Sequence, residues 1–545
     1  MEKCFADSDI RDYPALTHLS ALKNERVSFQ LLYIDDADDP ALPLRATNHR
    51  LQIDGIDREL ASMRQINSVP VTIPSLTEGG DENFLRTAPG LYPDVLVPLQ
   101  HSGPAVMRGQ LQAVWVELDL CERLSAGEHT VTLKFVDKRG ETLSKNALTL
   151  TVIDALLPPQ KMILTQWFHC DCLANYYNVA VWSDEHWHIV ESFAATAARN
   201  GINMLLTPVH TPPLDTAVGG ERTTTQLVDV TLENGEYSFG FDKLDRWIDM
   251  CNRVGIQYLE IAHLFTQWGA QRAPKIVATV DGEYTRIFGW ETDATSEEYI
   301  RYLRAFLTAF LSHMKERGDD KRCYFHISDE PNQLHIENYR AAKASVADLL
   351  EDYPIMDALS NFEYYQDGLV ELPSPSSDHI APFIEAGVTG LWTYYCCSQG
   401  IDVSNRFIAM PLWRTRSIGL QFYKFNIVGF LHWGYNFYNT SLSKGPVNPY
   451  LDTCANYAFP AGDAFSVYPA QDGSALESIR ILSFFEALQD ARAFQLAETL
   501  CGRERVIQEI ETLFGTEIRF DKCAKKAATL LQIREKINQM IQENV

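Results

Sequence analysis

The sequence predicts a multidomain α/β protein: an N-terminal β-sandwich, then a (β/α)8 TIM-type barrel, then a C-terminal helical segment. Three observations predict it. The chain has 545 residues, too many for a single hydrophobic core. Up to about residue 155 the apolar pattern is that of short, half-buried strands. Beyond residue 160, eight β-prone runs alternate with amphipathic helical stretches, the pattern of parallel strands joined by crossover helices. The expected divisions are 1–155, 156–500 and 501–545.

In the first region Arg26–Tyr33, Ala113–Leu118, His129–Val136 and Ala147–Ile153 read as strands, and Leu157-Pro-Pro159 as a stiff linker. Nothing there looks chemical, so it reads as a supporting module. The expected barrel strands are Met162–Phe168, Ile202–Leu206, Gln257–Leu264, Cys323–Ile327, Ile355–Leu359, His379–Phe383, Gly390–Tyr395 and Ile427–Trp433. Between them fall helices at Ser183–Asn200, Phe241–Val254, Gln333–Leu350 and near Phe407–Phe422, with a closing helix at Ala475–Leu500. Another begins at the capping box Thr295-Ser-Glu-Glu298, carries its apolar stripe through Leu303, Phe306 and Phe310, and stops at Gly318. Residues 502–545 read as two further helices.

The segment Arg322–Pro331 organises the rest. An apolar run ends abruptly in two adjacent carboxylates, Asp329 and Glu330, and Pro331 suits the first turn of a following helix. In a parallel barrel this is the carboxyl-terminal rim, where such folds carry catalytic groups. Neighbouring acids cannot both ionise freely, so one proton is held more tightly. The bland alternative is a helix-start pair favoured by the macrodipole.

Other strand ends supply further candidates: Trp167, His169 and Asp171; His210; Glu260 and His263; Trp392, Tyr394 and Tyr395; Trp433, Tyr435 and Asn436. So many aromatic, His and Asn residues at one rim suit a sugar, whose C–H face stacks on indole while its hydroxyls take hydrogen bonds. Bland readings stand beside them. Trp392 fits a core as well as a platform, Asp171 could cap an irregular segment, and His326 and His432 lie inside apolar runs.

Composition narrows the partners. With 72 acidic against 47 basic residues the net charge is -25, which repels nucleic-acid backbones and anionic membranes. No run of about 18 apolar residues suggests a membrane span, and no signal peptide is visible, so a cytoplasmic protein is expected. The eleven cysteines are scattered. The pairs Cys170/Cys172 and Cys396/Cys397 lack partners at zinc spacing, so no metal and no cofactor is expected. Walker, Rossmann, HExxH and GxSxG motifs are absent.

His326-Ile-Ser-Asp-Glu-Pro331, with Trp167-Phe-His-Cys-Asp171 and Gly429-Phe-Leu-His-Trp-Gly-Tyr-Asn436, resembles glycoside hydrolase family 123 and its uncharacterised bacterial relatives. Ala461–Pro469, Ser478–Arg480 and Glu486–Asp490 resemble that family's closing region. The resemblance implies a retaining, exo-acting β-N-acetylgalactosaminidase using substrate assistance on a small carbohydrate with a terminal N-acetylhexosamine. It implies Glu330 as acid and then base, and Asp329 as the group that orients the 2-acetamido N–H. Tyr394 or Tyr395 then suits the acetamido oxygen, and Trp392 or Trp433 a pocket wall. Adjacent residues on a regular strand face opposite ways, so the chain must twist for both acids to reach one sugar. The alternatives are a two-carboxylate glycosidase with Asp171 or Glu260 as second acid, and a non-catalytic carbohydrate-binding protein.

Overall fold

The computed structural model describes residues 1–35, 49–76, 80–99, 103–331 and 334–545. They form two compact units: Met1–Gln160 with Gly400–Phe425 and Leu476–Val545, and Lys161–Gln399 with Asn426–Ala475.

The first unit contains two four-stranded sheets. One runs His18–Leu22, Thr142–Ile153, Gly127–Val136, Arg50–Asp54; the other runs Arg26–Tyr33, Gln112–Asp119, Ala61–Val71, Gly90–Pro98. Alternate side chains of both, Phe29, Val114 and Val116 from one and Leu51, Leu133 and Leu150 from the other, share one core. The same unit holds the helices Leu412–Arg416, Ile418–Lys424, Ile479–Cys501, Arg503–Phe514 and Ala527–Gln542. At Gly419 an added Cβ would lie 2.4 Å from the Ala487 carbonyl oxygen, so two helices meet there backbone to backbone. Buried ion pairs bind these helices to the sheets. Arg480 forks onto Asp94 at 2.7 and 2.9 Å, and Arg534 reaches Glu25 at 2.5 Å and Asp490 at 2.9 Å.

In the second unit six parallel strands form one sheet in the order Cys323–Tyr324, Tyr258–Ile261, Met204–Thr207, Ile163–Gln166, Gly429–His432, Trp392–Tyr394. Met356–Ala358 pairs in parallel with Leu372–Ser374. Single parallel bridges join Phe325 to Ile355 and Ser376 to Tyr394. Helices such as Asp184–Arg199, Asp242–Val254 and Glu297–Arg317 follow successive strands. A separate four-stranded sheet, Glu236–Gly240, Asp229–Glu233, Ile276–Val280, Glu283–Phe288, fills the excursions after the second and third parallel strands. The chain is thus a mixed α/β multidomain protein with a sheet-rich amino-terminal region, a half-barrel of parallel strands and carboxyl-terminal helices. Among the described residues no helix is long and apolar enough to cross a membrane.

Three local expectations shift. His379–Phe383 is not a strand: the strand is Leu372–Ser374, and Ala381–Glu385 is helical with Pro382 in its first turn, where a fixed φ and a missing N–H cost nothing. The capping residue is Ser296 rather than Thr295, its Oγ accepting from the Tyr299 N–H. The helix described after Pro331 is Ile336–Ala344, which begins five residues later, and Gln333 lies outside the described residues.

Candidate active site

Beyond Cys323–Tyr324 the chain bridges Phe325 to Ile355, bends at Ile327, and is laced to the segment after Tyr258–Ile261. The His326, Ile327 and Asp329 carbonyls accept from Leu264, Phe265 and Trp268 N–H at 3.1, 3.1 and 2.9 Å. Ser328 Oγ donates to the Thr266 carbonyl at 2.8 Å and accepts from the Gly269 and Ala270 N–H groups. At Glu330 the backbone swings into the left-handed region, φ 44°, a costly conformation for a residue with a side chain. Asp329 and Glu330 line one cleft. A second run of strain faces them: Trp268, Gly269 and Ala270 have φ of 61°, 113° and 55°. Only glycine fits at 269, where a Cβ would lie 2.3 Å from His335.

The cleft encloses about 130 Å3. Trp167, His169, Trp433 and Tyr394 wall it, with Trp268 and Phe459. Tyr394 donates its hydroxyl to Glu330 Oε1 at 2.5 Å, and Trp433 donates to Asp463 at 2.9 Å. Burial and the adjacent Glu330 push the Asp329 carboxyl well above the ordinary range, while the nearby His326 pulls it down.

Beneath the acids lies a closed charge network. His326 sits between Glu260 (Nε2 to Oε1, 2.7 Å) and Asp357 (Nδ1 to Oδ1, 3.1 Å). Glu260 also accepts from Trp167 Nε1 at 2.7 Å and from Thr165, and Asp357 from Tyr339 and the Ile327 N–H. Burial opposes charge on His326, but the two carboxylates override it and hold the imidazole at about 9. His263 stacks on this imidazolium, centroids 4.2 Å apart and planes 13° from parallel. Burial and the His326 charge keep His263 neutral, well below its ordinary value. His263, His326 and Asp357 bring three ligand atoms within 4.8 Å of one another. Stacked rings hold their in-plane lone pairs parallel rather than convergent, so this arrangement suits charge storage better than metal ligation.

The remaining sequence candidates lie off the lining. Asp171 is locked to Arg222 (2.7 and 2.8 Å); burial would raise its carboxyl, but Arg222 holds it below the usual range. The same guanidinium contacts His169 Nδ1 at 3.0 Å, and burial with that charge depresses His169 to about 3. His210 is fully buried against Phe306. Trp392 is core, Tyr395 packs on Phe430 and His432, and Tyr435 stacks on Phe168. Asn436 is buried and clamps the His169 backbone at 2.9 and 3.1 Å. Of the two neighbouring tyrosines, Tyr394 is therefore the one at the cleft. The lining also includes Asp215, Gln267, Trp268, Cys396, Cys397 and Phe459, which sequence reasoning did not assign to the site. Gln267-Trp-Gly269 follows the third parallel strand and could have been found from the rim rule. Asp215 sits in a proline-rich excursion with no local signal.

A family model described as glycoside hydrolase 123, catalytic domain, matches residues 167–497. A solved family 123 glycoside hydrolase from Clostridium perfringens, analysed for glycolipid glycan hydrolysis, is 14% identical with a TM-score of 0.72, covering 99% of this chain and 95% of that one. β-Glucuronidase 3 from Bacteroides uniformis is 11% identical with a TM-score of 0.32, covering 81% of this chain and 52% of that one. The endo-β-1,4-mannanase from Thermotoga petrophila is 11% identical with a TM-score of 0.33, covering 62% and 78%. No curated protein matches. The family match defines the class, a glycoside hydrolase acting on carbohydrate. The chain belongs to glycoside hydrolase family 123.

Proposed function

We propose that the protein is a retaining, exo-acting β-N-acetylgalactosaminidase-like enzyme that uses its substrate's own acetamido group as nucleophile. The observation that carries this reading is the left-handed turn at Glu330, which lets two adjacent acids line one cleft. The bridges Phe325–Ile355 and Ser376–Tyr394 support reading the six-stranded and two-stranded sheets as one closed (β/α)8 ring. Both acids then follow its fourth strand, and the amino-terminal sheets make a β-sandwich.

Burial and the neighbouring Glu330 favour a proton on Asp329. A sugar whose acetamido N–H donates to Asp329 stabilises that carboxylate and moves the proton to Glu330. Glu330 then protonates the leaving oxygen while the acetamido oxygen attacks C1, closing an oxazolinium ring. Water, activated by Glu330, reopens it with overall retention. Tyr394 orients Glu330, and Trp167, Trp433 and Trp268 offer faces for the ring.

A conventional mechanism with Asp215 as second acid is the other reading, because Asp215 also lines the cleft. Its Oδ2 is already held by the Leu442 N–H at 2.9 Å, which suits a fixed acceptor better than a nucleophile. Asp171 and Glu260 are already saturated by their partners. A 1,2-thiazoline analogue of N-acetylgalactosamine separates the two: tight competitive inhibition supports substrate assistance, and no inhibition sinks it. Glu330→Gln should lower kcat on an aryl N-acetylgalactosaminide on the order of 10²–10⁴-fold. Wild-type failure on every aryl hexosaminide would favour a binding protein.

A further inference from the structure

Asp215 is held as a preorganised acceptor. Its φ of 40° is left-handed, a strain that persists only when the surroundings over-determine it. Three hydrogen bonds pin this loop to a second strained loop. The Leu442 N–H donates to Asp215 Oδ2 at 2.9 Å, the Ser443 hydroxyl to the Asp215 carbonyl at 2.7 Å, and the Ala217 N–H to the Leu442 carbonyl at 3.0 Å. Leu442 and Ser443 are themselves left-handed, with φ of 60° and 51°. Among the described residues no donor reaches Asp215 Oδ1, so one carboxylate oxygen is left for whatever occupies the cleft.

The charge of that cleft is one-sided. Asp215, Asp329 and Glu330 all line it, and no described lysine or arginine does. The cation that influences Asp215 is Arg222, which is already committed to Asp171 and His169. A sugar bearing a carboxylate or sulfate would meet three acids in a part-desolvated space with nothing to neutralise it. A neutral sugar can instead donate hydrogen bonds from its hydroxyls to Asp215. A site built to accept from a substrate hydroxyl rejects ligands that lack one, because its own buried polar group is then unpaired.

We propose that Asp215 is the specificity-determining residue of the cleft. It accepts from hydroxyls of an uncharged terminal sugar and, with Asp329 and Glu330, excludes sugars that carry a carboxylate or sulfate. The proposal rests on reading the cleft as the sugar subsite.

The test compares 4-nitrophenyl N-acetylgalactosaminide with its 6-O-sulfated form, in the wild type and Asp215→Asn. The wild type should favour the neutral substrate by about a hundredfold or more in kcat/KM. Asp215→Asn should raise KM for the neutral substrate about tenfold, the loss of one charge-assisted hydrogen bond, with kcat little changed. It should also cut discrimination against the sulfated sugar at least tenfold, a change that loss of packing alone would not produce. Equal turnover of both sugars by the wild type overturns the proposal, as does an Asp215→Asn enzyme with unchanged discrimination. A collapse of kcat restored by azide would make Asp215 the nucleophile and also overturn it. Calorimetry on Glu330→Gln with free N-acetylgalactosamine and its 6-sulfate separates this from failure of the parent reading. Selective neutral binding that Asp215→Asn abolishes, without wild-type turnover, leaves the specificity role standing and sinks the proposed reaction. Turnover without selectivity does the reverse, and neither turnover nor binding overturns both.

Discussion

Both units bury acids, but they treat them in opposite ways. In the first unit Asp94, Asp490 and Glu25 each meet an arginine, from Arg480 and Arg534, at 2.9 Å or less. Burial alone would raise Asp490, yet Arg416 and Arg534 hold it below the ordinary range. In the cleft of the second unit no arginine or lysine among the described residues pairs with the half-buried Asp329 or Asp215, and desolvation drives both upward. A paired buried acid fixes structure. An unpaired one stores unfavourable energy that a ligand can relieve, which is the mark of a working site. The His326 network lies between these cases: its carboxylates are compensated, but by an imidazole that can itself lose the proton.

The comparison breaks most visibly if the paired acids are mutated. Arg480→Ala removes the guanidinium fork from Asp94, both fully buried, and should destabilise the first unit by about 3–5 kcal/mol, read as a lowered denaturation midpoint. A loss below about 1 kcal/mol would mean that the pair is not structural. His326→Gln should come next. It leaves Glu260 and Asp357 uncompensated and should cost about 3 kcal/mol at pH 6. The folded imidazole is raised to about 9, above its ordinary value. Its stabilisation is therefore complete below about 6.5 and lost as pH rises through about 9. The gap between variant and wild type should narrow over that interval in a series of melts, and a gap that widens would contradict a charged His326.

Asp329→Asn carries the opposite sign. A carboxyl raised in the folded state costs stability once pH exceeds its unfolded value, about 3.9. Removing the charge should abolish activity yet raise Tm by about 2–4 °C at pH 8, the equivalent of roughly 1 kcal/mol. The gain should vanish towards pH 4. A loss of Tm at pH 8 would place Asp329 among the structural acids.

What the sequence revealed follows the same division. Strong local signals survive folding: the stripe of Leu303, Phe306 and Phe310 is buried, and Gly318 stops its helix. Asp329-Glu330 was legible because an apolar strand fixes where its own end falls. His379–Phe383 misled because an apolar run with one proline satisfies a strand pattern until the missing N–H must be placed. Asp171, Glu260 and His263 stand near strand ends, as the site does. Whether such a side chain meets solvent or a buried partner depends on Arg222 and His326, residues 51 and 66 positions away from Asp171 and Glu260. Asp215 is the converse case. Its place in the cleft comes from a loop 227 residues further on, and nothing near it in sequence announces that contact.

The smallest effect sharpens the comparison at the acid itself. Among the described residues Tyr394 gives Glu330 its one side-chain hydrogen bond, at 2.5 Å, a neutral donor where the structural acids have arginine. Tyr394→Phe removes that contact and leaves the carboxyl less firmly placed. A single hydrogen bond nets about 0.5–1.5 kcal/mol, so kcat should fall by no more than about tenfold. A thousandfold drop in kcat would show that Tyr394 acts on the substrate rather than on Glu330. That outcome would return it to the acetamido oxygen, where the family resemblance first suggested it.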